Sequence, residues 1–191
     1  MVDADMGFQP SLVMRMLKLQ RGICAACYPK RNIDLGRLIA MAREARPDSS
    51  VDEILAKAYE FDCEGDSITE ALPDGAHRFD VHDGFVRATA AGSGIMLISR
   101  PAMTTLYTTY PELRATDIPR GPVGLKEAFF QPFNQLVLEN GVVLSEDISF
   151  CRRWVDGCGG DIWVNLDEVV THQGAMTYQS RFWDRLMASR V

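Results

Sequence analysis

The sequence lacks the features that would place it among membrane or secreted proteins. It has no run of about 18 apolar residues, the length needed to cross a bilayer as a helix, so we predict no transmembrane segment. No basic start followed by an apolar stretch marks a secretion signal. Internal repeats and low-complexity segments are also missing, and 15 Gly and 9 Pro in 191 residues exclude a collagen-like chain.

Basic residues are fewer than acidic residues, and the sequence contains only five cysteines. The 20 Lys and Arg residues are outnumbered by 26 Asp and Glu, for a formal charge of −6, which argues against a general electrostatic attraction to nucleic acid or anionic lipid. The five cysteines are odd in number and irregularly spaced, which favours reduced thiols and a cytoplasmic location. Cys24-Ala-Ala-Cys27 lies in an apolar stretch typical of a strand, so buried thiols are favoured over a redox or zinc pair.

What the sequence does contain is enough apolar material for a core. Apolar residues make up 47% of the chain, and at this length a single domain over residues 1–191 is expected. A helix is predicted from Pro10, a strand through Tyr28, and a helical insertion at about 33–61. The insertion divides into two helices at Pro47-Asp-Ser-Ser50. This alternation predicts an α/β fold with a mixed central sheet flanked by helices.

The second half of the chain continues the alternation. His82-Asp-Gly84 and Asn140-Gly141 are typical of hairpin turns. Residues 111–124, with three prolines and two glycines, indicate a mobile loop. A helix is predicted from Ser145 to about Asp156. The other predicted elements are strands at 95–98, 162–166 and 168–171, a helix from Pro101, and an amphipathic tail around Phe182, Trp183, Leu186 and Met187.

Two carboxylates near the start form a candidate metal site. Side chains alternate along a strand with a period of two, so Asp3-Ala-Asp5 on an extended strand end would present both carboxylates on one side. Such a pair suits a hard cation such as magnesium or manganese, which can bridge a diphosphate. A solvated acidic pair is the alternative interpretation.

Glu146 and Asp147 open the predicted helix at Ser145. Acidic residues in a first turn gain about 0.3–1 kcal/mol each from the helix dipole, which explains both residues without catalysis. The functional alternative is that one of them accepts a proton from a substrate hydroxyl.

A histidine and a glycine pair also stand out. His172 follows a predicted strand, where it is either a neutral-imidazole metal ligand or a polar residue at the solvent boundary. Gly92-Ser93-Gly94 either lets the backbone approach a ligand closely or forms a bulge between strands.

Taken in order, these motifs resemble those of nucleotide-sugar-dependent glycosyltransferases of the A-type fold. The resemblance spans nearly the whole chain, and the pattern is similar to that of bacterial family 2-like glycosyltransferases, in a subgroup with a Tyr-Pro-Lys-Arg segment, here Tyr28-Pro-Lys-Arg31. The other matching segments are Val2-Asp-Ala-Asp-Met-Gly-Phe8 for the D-x-D motif, 91–100 for the glycine-containing strand that ends in arginine, 145–154 for an E-D-x-x-x-C-x-R helix, and Val169-Val-Thr-His172 for the closing histidine.

The resemblance implies a role for each candidate residue. Asp5 would bind a divalent metal, Mn or Mg, with Asp3 acting through the metal or the donor ribose and His172 completing the metal ligands. The metal would hold the diphosphate of a nucleotide-diphosphate sugar donor. Asp147 would be the general base toward an acceptor hydroxyl in an inverting enzyme. Glu146 would contact the acceptor. The donor-sugar pocket would be lined by Gly92, Ser93 and Gly94.

The chain also departs from the family pattern. In that fold the nucleotide base and ribose lie on elements before the D-x-D motif, whereas this sequence begins at the motif. The resemblance therefore implies that a nucleotide-binding segment of about 80–100 residues, judged by the usual domain size, is missing upstream. The helices at 33–61 and the loop at 111–124 are not general family features. The alternatives are a non-catalytic, truncated remnant that forms homo-oligomers through uncovered sheet edges, and other metal-dependent phosphate chemistry such as nucleotidyl transfer.

Overall fold

The computed structural model describes residues 1–63, 70–71, 77–78, 80–115 and 129–188. The α-helices within these ranges are α1 (Pro10–Leu19), α2 (Leu35–Glu44), α3 (Val51–Ala58), α4 (Arg100–Thr109), α5 (Glu146–Arg152) and α6 (Phe182–Ala188). The strands are β1 (Met6–Gly7), β2 (Ile23–Ala26), β3 (Pro29–Ile33), β4 (Tyr59–Phe61), β5 (Glu70–Ala71), β6 (His77–Arg78), β7 (Phe85–Ala88), β8 (Met96–Ile98), β9 (Ile162–Asn165), β10 (Val170–Gln173) and β11 (Thr177–Ser180). The α/β class predicted from the sequence is confirmed.

A four-stranded mixed sheet has the order β7-β9-β2-β8. The strands β2 and β9 are parallel, with Cys24 opposite Trp163, while β7 and β8 pair with them antiparallel. All four residues of β2 are buried, as expected of a strand covered on both faces. The chain start extends the β8 edge, because Val2 forms a bridge with Ile95 and the Met96 N–H donates to the Met1 carbonyl at 3.0 Å.

Each face of this sheet is covered by its own apolar cluster. Successive side chains of a strand point to opposite faces, so Ile23 and Ala25 lie in one cluster and Cys24 and Ala26 in the other. The helices α4 and α5 contribute buried side chains to the first cluster, and α1 covers the second through Leu12 and Met16. Cys24 and Cys27 are therefore divided between the two clusters, and all five cysteines are free thiols.

Three smaller sheets complete the architecture of the described residues. The first has the order β1-β10-β11, in which Met6 pairs with His172 and His172 with Tyr178. The other two are the antiparallel pairs β3-β4 and β5-β6. None of the described helices has the length and apolar character that a membrane span requires.

Local sequence signals explain where the helices begin and end. Pro10 occupies the first turn of α1, and the helix ends at Gln20, whose φ of 51° is left-handed, two residues before the predicted stop at Gly22. Ser50 caps α3, and the Ser145 side chain accepts the Ile148 N–H at the start of α5. Beyond Arg152 the helix widens into a π-helical turn, Arg153–Gly157.

Several expectations about local structure need correction. Asp3-Ala-Asp5 does not lie on an extended strand end: the Met6 N–H donates to the Asp3 carbonyl at 3.2 Å in a turn, so strand alternation does not apply there. His172 lies within β10 rather than beyond its end. Residues 59–61, the end of the predicted helical insertion, form the strand β4 because Tyr59 and Phe61 are buried and pair with β3, and the sequence pattern does not predict the strand β11. In the loop at 111–124, Pro111–Leu113 is a 3₁₀ turn, and 116–124 lies outside the described residues.

Both predicted hairpin turns are present, although their surroundings differ from the prediction. Asp83 and Gly84 have φ of 49° and 78°, and His82 and Phe85 exchange backbone hydrogen bonds across the turn. The strand that follows, β7, pairs with β9. The turn at Gly141, with φ of 80°, connects Leu138 and Val142, which are hydrogen-bonded to each other.

Candidate functional site

Backbone pairing brings Asp5 and His172 together from distant parts of the chain. Met6 lies opposite His172 in the β1–β10 pair, and the Gln173 N–H donates to the Asp5 carbonyl at 2.8 Å. The Asp5 carboxylate is thereby held against the imidazole, with Oδ2 at 3.4 Å from Nε2 of His172. Asp5 is partly exposed and His172 is buried.

A hydrogen bond on the far side of the His172 ring indicates which of the two ring nitrogens carries the hydrogen when the imidazole is neutral. Nδ1 lies 2.9 Å from the Pro29 carbonyl oxygen, which can only accept, so Nδ1 carries a hydrogen. In the neutral imidazole, Nε2 then presents a lone pair toward the Asp5 carboxylate. A cation between Nε2 and the carboxylate, either a proton on Nε2 or a metal ion, would satisfy both groups, and the Arg31 guanidinium already pairs with the same carboxylate oxygen at 3.0 Å. A carbonyl on the opposite nitrogen is typical of metal-binding histidines.

Arg31 adds a positive charge at the edge of this pair. Its guanidinium lies 3.0 Å from Asp5 Oδ2, and about half of its side chain is exposed. A Cβ at Gly174 would lie 2.7 Å from the Arg31 side chain, so the glycine after β10 leaves room for the arginine. The motifs in the sequence assign Arg31 no role of its own. The available signal was its place in the Tyr28-Pro-Lys-Arg31 segment.

Tyr28 joins the histidine to the glycine segment. Its ring meets His172 edge-on at a centroid distance of 5.7 Å, and its hydroxyl accepts the Gly94 N–H at 3.3 Å. Burial raises the pKa of the Tyr28 phenol, and the negative charges of Asp62 and Asp147 raise it as well.

Close packing accounts for the two glycines of the 92–94 segment. A Cβ at Gly92 would lie 2.1 Å from the Tyr28 hydroxyl, and one at Gly94 would lie 2.6 Å from Met6 and 2.9 Å from the Tyr28 ring. The Tyr28 side chain thus packs against the backbone of Gly92 and Gly94, where the family resemblance implies a donor sugar. Ser93 is partly buried between the two glycines. Their assignment to a donor-sugar pocket stays a prediction.

The remaining predicted residues differ in exposure. Asp3 is exposed, and its N–H donates to the Gly94 carbonyl at 2.9 Å, which ties the acidic segment to the glycine segment. Glu146 is exposed in the first turn of α5. The neighbouring Asp147 is partly buried, and its Oδ1 has no hydrogen-bond partner among the described residues.

The structure therefore brings Asp5 into direct contact with His172, and connects Asp3 and Tyr28 through Gly94. Within the described residues, no hydrogen bond or ion pair joins Asp147 or Glu146 to this group; both lie in the first turn of α5. An open groove of about 1070 Å³ lies elsewhere, between α2, α3, β11 and α6. The residues that line this groove include none of the candidate residues. The candidate site is therefore defined by the contact between Asp5 and His172 and not by the size of a groove.

Comparisons with known proteins leave the family open. No protein-family model matches this chain, and no curated protein or solved structure matches it significantly. The function is therefore argued from the geometry around Asp5 and His172.

Proposed function

We propose that this chain is a metal-dependent glycosyltransferase of the A-type fold, which transfers a sugar from a nucleotide-diphosphate sugar to an acceptor hydroxyl. The observation that carries the proposal is the contact between a carboxylate and an imidazole from distant parts of the chain, Asp5 Oδ2 and His172 Nε2, 3.4 Å apart. The pair lies beside the glycine segment through Tyr28, and the acidic start of α5 follows in the sequence in the motif order of those enzymes.

The residues present fit a divalent cation. One carboxylate oxygen and one imidazole nitrogen suit Mn²⁺, and Mg²⁺ is the alternative. Asp3 lies two residues from Asp5 and is exposed, but its carboxylate is not grouped with Asp5 and His172 among the described residues. When bound, the metal would neutralise the diphosphate and stabilise the departing nucleoside diphosphate. Arg31 offers a further cationic group for the phosphate oxygens, since guanidinium groups bind phosphate with paired hydrogen bonds.

Asp147 is suited to accept the proton of the acceptor hydroxyl. Its Oδ1 is buried and has no hydrogen-bond partner among the described residues, so its lone pairs are unused, and a rotation of the side chain would bring it to an acceptor hydroxyl. Glu146 beside it is exposed and would contact the acceptor. As the hydroxyl oxygen bonds to the anomeric carbon, the bond from that carbon to the diphosphate oxygen breaks and the hydroxyl proton passes to Asp147. Ser93 is the side chain of the glycine segment that remains for contact with the sugar.

The test compares two histidines. Mn²⁺ binding by the chain, followed by electron paramagnetic resonance with and without UDP or GDP, should weaken by at least about tenfold in His172→Ala. His82→Ala is the matched control, because His82 lies exposed on a turn outside the site. Equal Mn²⁺ affinity in the two variants would rule out the metal site.

The same proteins are then assayed for transfer with radiolabelled UDP- and GDP-sugars. Asp147→Asn should keep Mn²⁺ binding and lose about 10²–10⁴-fold in transfer rate, as expected for a general base. Release of pyrophosphate instead of nucleoside diphosphate would indicate nucleotidyl transfer and contradict the proposal.

A further inference from the structure

A second group of potential ligands lies on the other side of Tyr28. The thiol–carboxylate cluster consists of Cys27, Asp62 and Cys63. Cys27 comes directly after β2, and the other two residues come directly after β4. One ligand atom from each residue lies within 4.8 Å of the others, and Cys63 Sγ is 3.4 Å from Asp62 Oδ2. Both thiols are fully buried.

These spacings are close to those of a zinc site. Zinc bonds of about 2.3 Å to sulfur and about 2.0–2.2 Å to oxygen place neighbouring ligands of a tetrahedral site about 3.5–3.8 Å apart. The contact between Cys63 Sγ and Asp62 Oδ2, at 3.4 Å, is about 0.1 Å shorter than this range. Bringing Cys27 to the same spacing requires a side-chain adjustment of about 1 Å at most, judged against the same geometry.

Asp62 is oriented as ligating carboxylates are. Its Oδ1 accepts the Tyr28 N–H at 2.8 Å, and its Oδ2 accepts the Gly92 N–H at 2.9 Å. Such outer hydrogen bonds hold metal ligands in place. None of the ion pairs within the described part of the chain includes Asp62, and burial raises its pKa. Asp62 is partly buried, and a carboxylate withdrawn from water in this way gains from a nearby cation.

The thiols make only weak contacts of their own. The Cys27 thiol donates to the Cys63 carbonyl at 3.9 Å, and the Cys63 thiol donates to Asp62. Burial raises the pKa of Cys27 well above its usual value. Such thiols react slowly with oxidants, which argues against a redox sensor, whereas metal binding supplies the charge that a buried thiolate needs.

We propose that the thiol–carboxylate cluster binds a borderline-soft divalent cation, Zn²⁺, as two thiolates and one carboxylate. Zinc would displace the two thiol protons and connect the end of β2 to the end of β4 and, through Asp62, to Gly92. Three protein ligands leave one position for water or another group. Thiolate ligands distinguish this site from the oxygen and imidazole ligands of Asp5 and His172, and it does not depend on the proposed transferase activity.

The test uses Co²⁺ as a spectroscopic probe of the reduced chain under anaerobic conditions. One equivalent should produce a thiolate-to-cobalt charge-transfer band in the near ultraviolet, and Zn²⁺ should abolish the band because zinc binds such ligands more tightly than cobalt. The band should be lost in Cys27→Ser and in Cys63→Ser.

Cys24→Ser is the matched control and should keep the band. Cys24 is also buried, with a pKa raised by burial to about 11, but it packs against the opposite face of the sheet. Asp5→Asn should also keep the band, which separates this site from the proposed active site. Absence of the band in the folded wild-type chain overturns the proposal whatever the variants do, and so does a band that persists in both cysteine variants.

Discussion

At the scale of single residues, Tyr28 links the two parts of the candidate site. Its backbone N–H is held by Asp62, its hydroxyl by the Gly94 N–H, and the edge of its ring meets His172. A buried tyrosine hydroxyl needs a polar partner, and here the partner is backbone exposed by glycine. The glycine segment is therefore explained by a side chain of the same protein.

Gly92 provides a test of this packing. In Gly92→Ala the new Cβ would lie 2.1 Å from the Tyr28 hydroxyl and 2.7 Å from Asp62 Oδ2, so tyrosine or backbone must move. We expect a loss of about 1–3 kcal/mol in the free energy of unfolding, the usual cost of overpacking. Urea denaturation followed by circular dichroism measures this loss.

The control is Gly36→Ala near the start of α2. There the nearest atom to a new Cβ is Asp34 Oδ1 at 3.4 Å, an ordinary contact. Alanine should raise stability by up to about 1 kcal/mol, because glycine is a poor helix former. Equal effects of the two substitutions would mean that the contact between Gly92 and Tyr28 is not tight.

At the scale of elements, local capping signals define the starts of α2 and α3. The family resemblance assigns no role to these two helices. The Asp34 side chain accepts the Arg37 N–H at the start of α2. In α3, Ser50 and Glu53 form a reciprocal capping box, which satisfies backbone groups that have no partner within the helix. The helices begin where these caps lie, a few residues inside the predicted limits of the 33–61 insertion.

The capping box gives a prediction for α3. Ser50→Ala should lower the free energy of unfolding by about 1 kcal/mol, since the Glu53 N–H at the helix start loses its acceptor. Thermal or urea denaturation measures the difference. Ser50→Asp supplies another cap acceptor and should remain within a few tenths of a kcal/mol of wild type by the same ranking; a loss as large as that of alanine would contradict the capping role.

At the scale of the whole molecule, stability depends on two apolar clusters separated by one sheet. The larger cluster includes Phe150, which is fully buried and stacks on Phe133 at a centroid distance of 4.3 Å. The smaller is covered by α1. Because both faces of β2 are buried, the sheet depends on both clusters.

A substitution of Phe150 measures how much the larger cluster contributes to the free energy of unfolding. Phe150→Ala should cost about 3–5 kcal/mol through lost burial and the cavity left behind, measured as a shift in the urea midpoint. Phe129→Ala is the control, because half of that side chain is exposed, and it should change stability by less than about 0.5 kcal/mol. Similar losses in the two variants would place Phe150 outside the cooperative core.

Much of the secondary structure could be predicted because its signals are local. Pro10, Ser50 and Ser145 begin their helices as predicted, and Gly84 and Gly141 form their turns. The strand β11 was missed because Thr177–Ser180 is short and half exposed. Pairing with β10 stabilises it, and no local pattern shows such pairing.

The candidate site was predictable in part. Asp5 and His172 were chosen as residue types that bind metal, and the structure places them 3.4 Å apart. The choice rested on a strand geometry that is absent, since Asp3 and Asp5 lie in a turn. Arg31 and Asp62 were given no role, because their relevance comes from partners far away in sequence.

By itself, the sequence determined the mixed α/β class, the helix starts and the turns, because caps, prolines and glycines act through their immediate neighbours. Only the tertiary structure decided which side chains meet. Antiparallel pairing of β1 with β10 sets His172 against Asp5, and the ends of β2 and β4 bring Cys27 to Cys63. Such contacts form because burial and backbone pairing join distant segments, and their energies depend on the partner as much as on the residue.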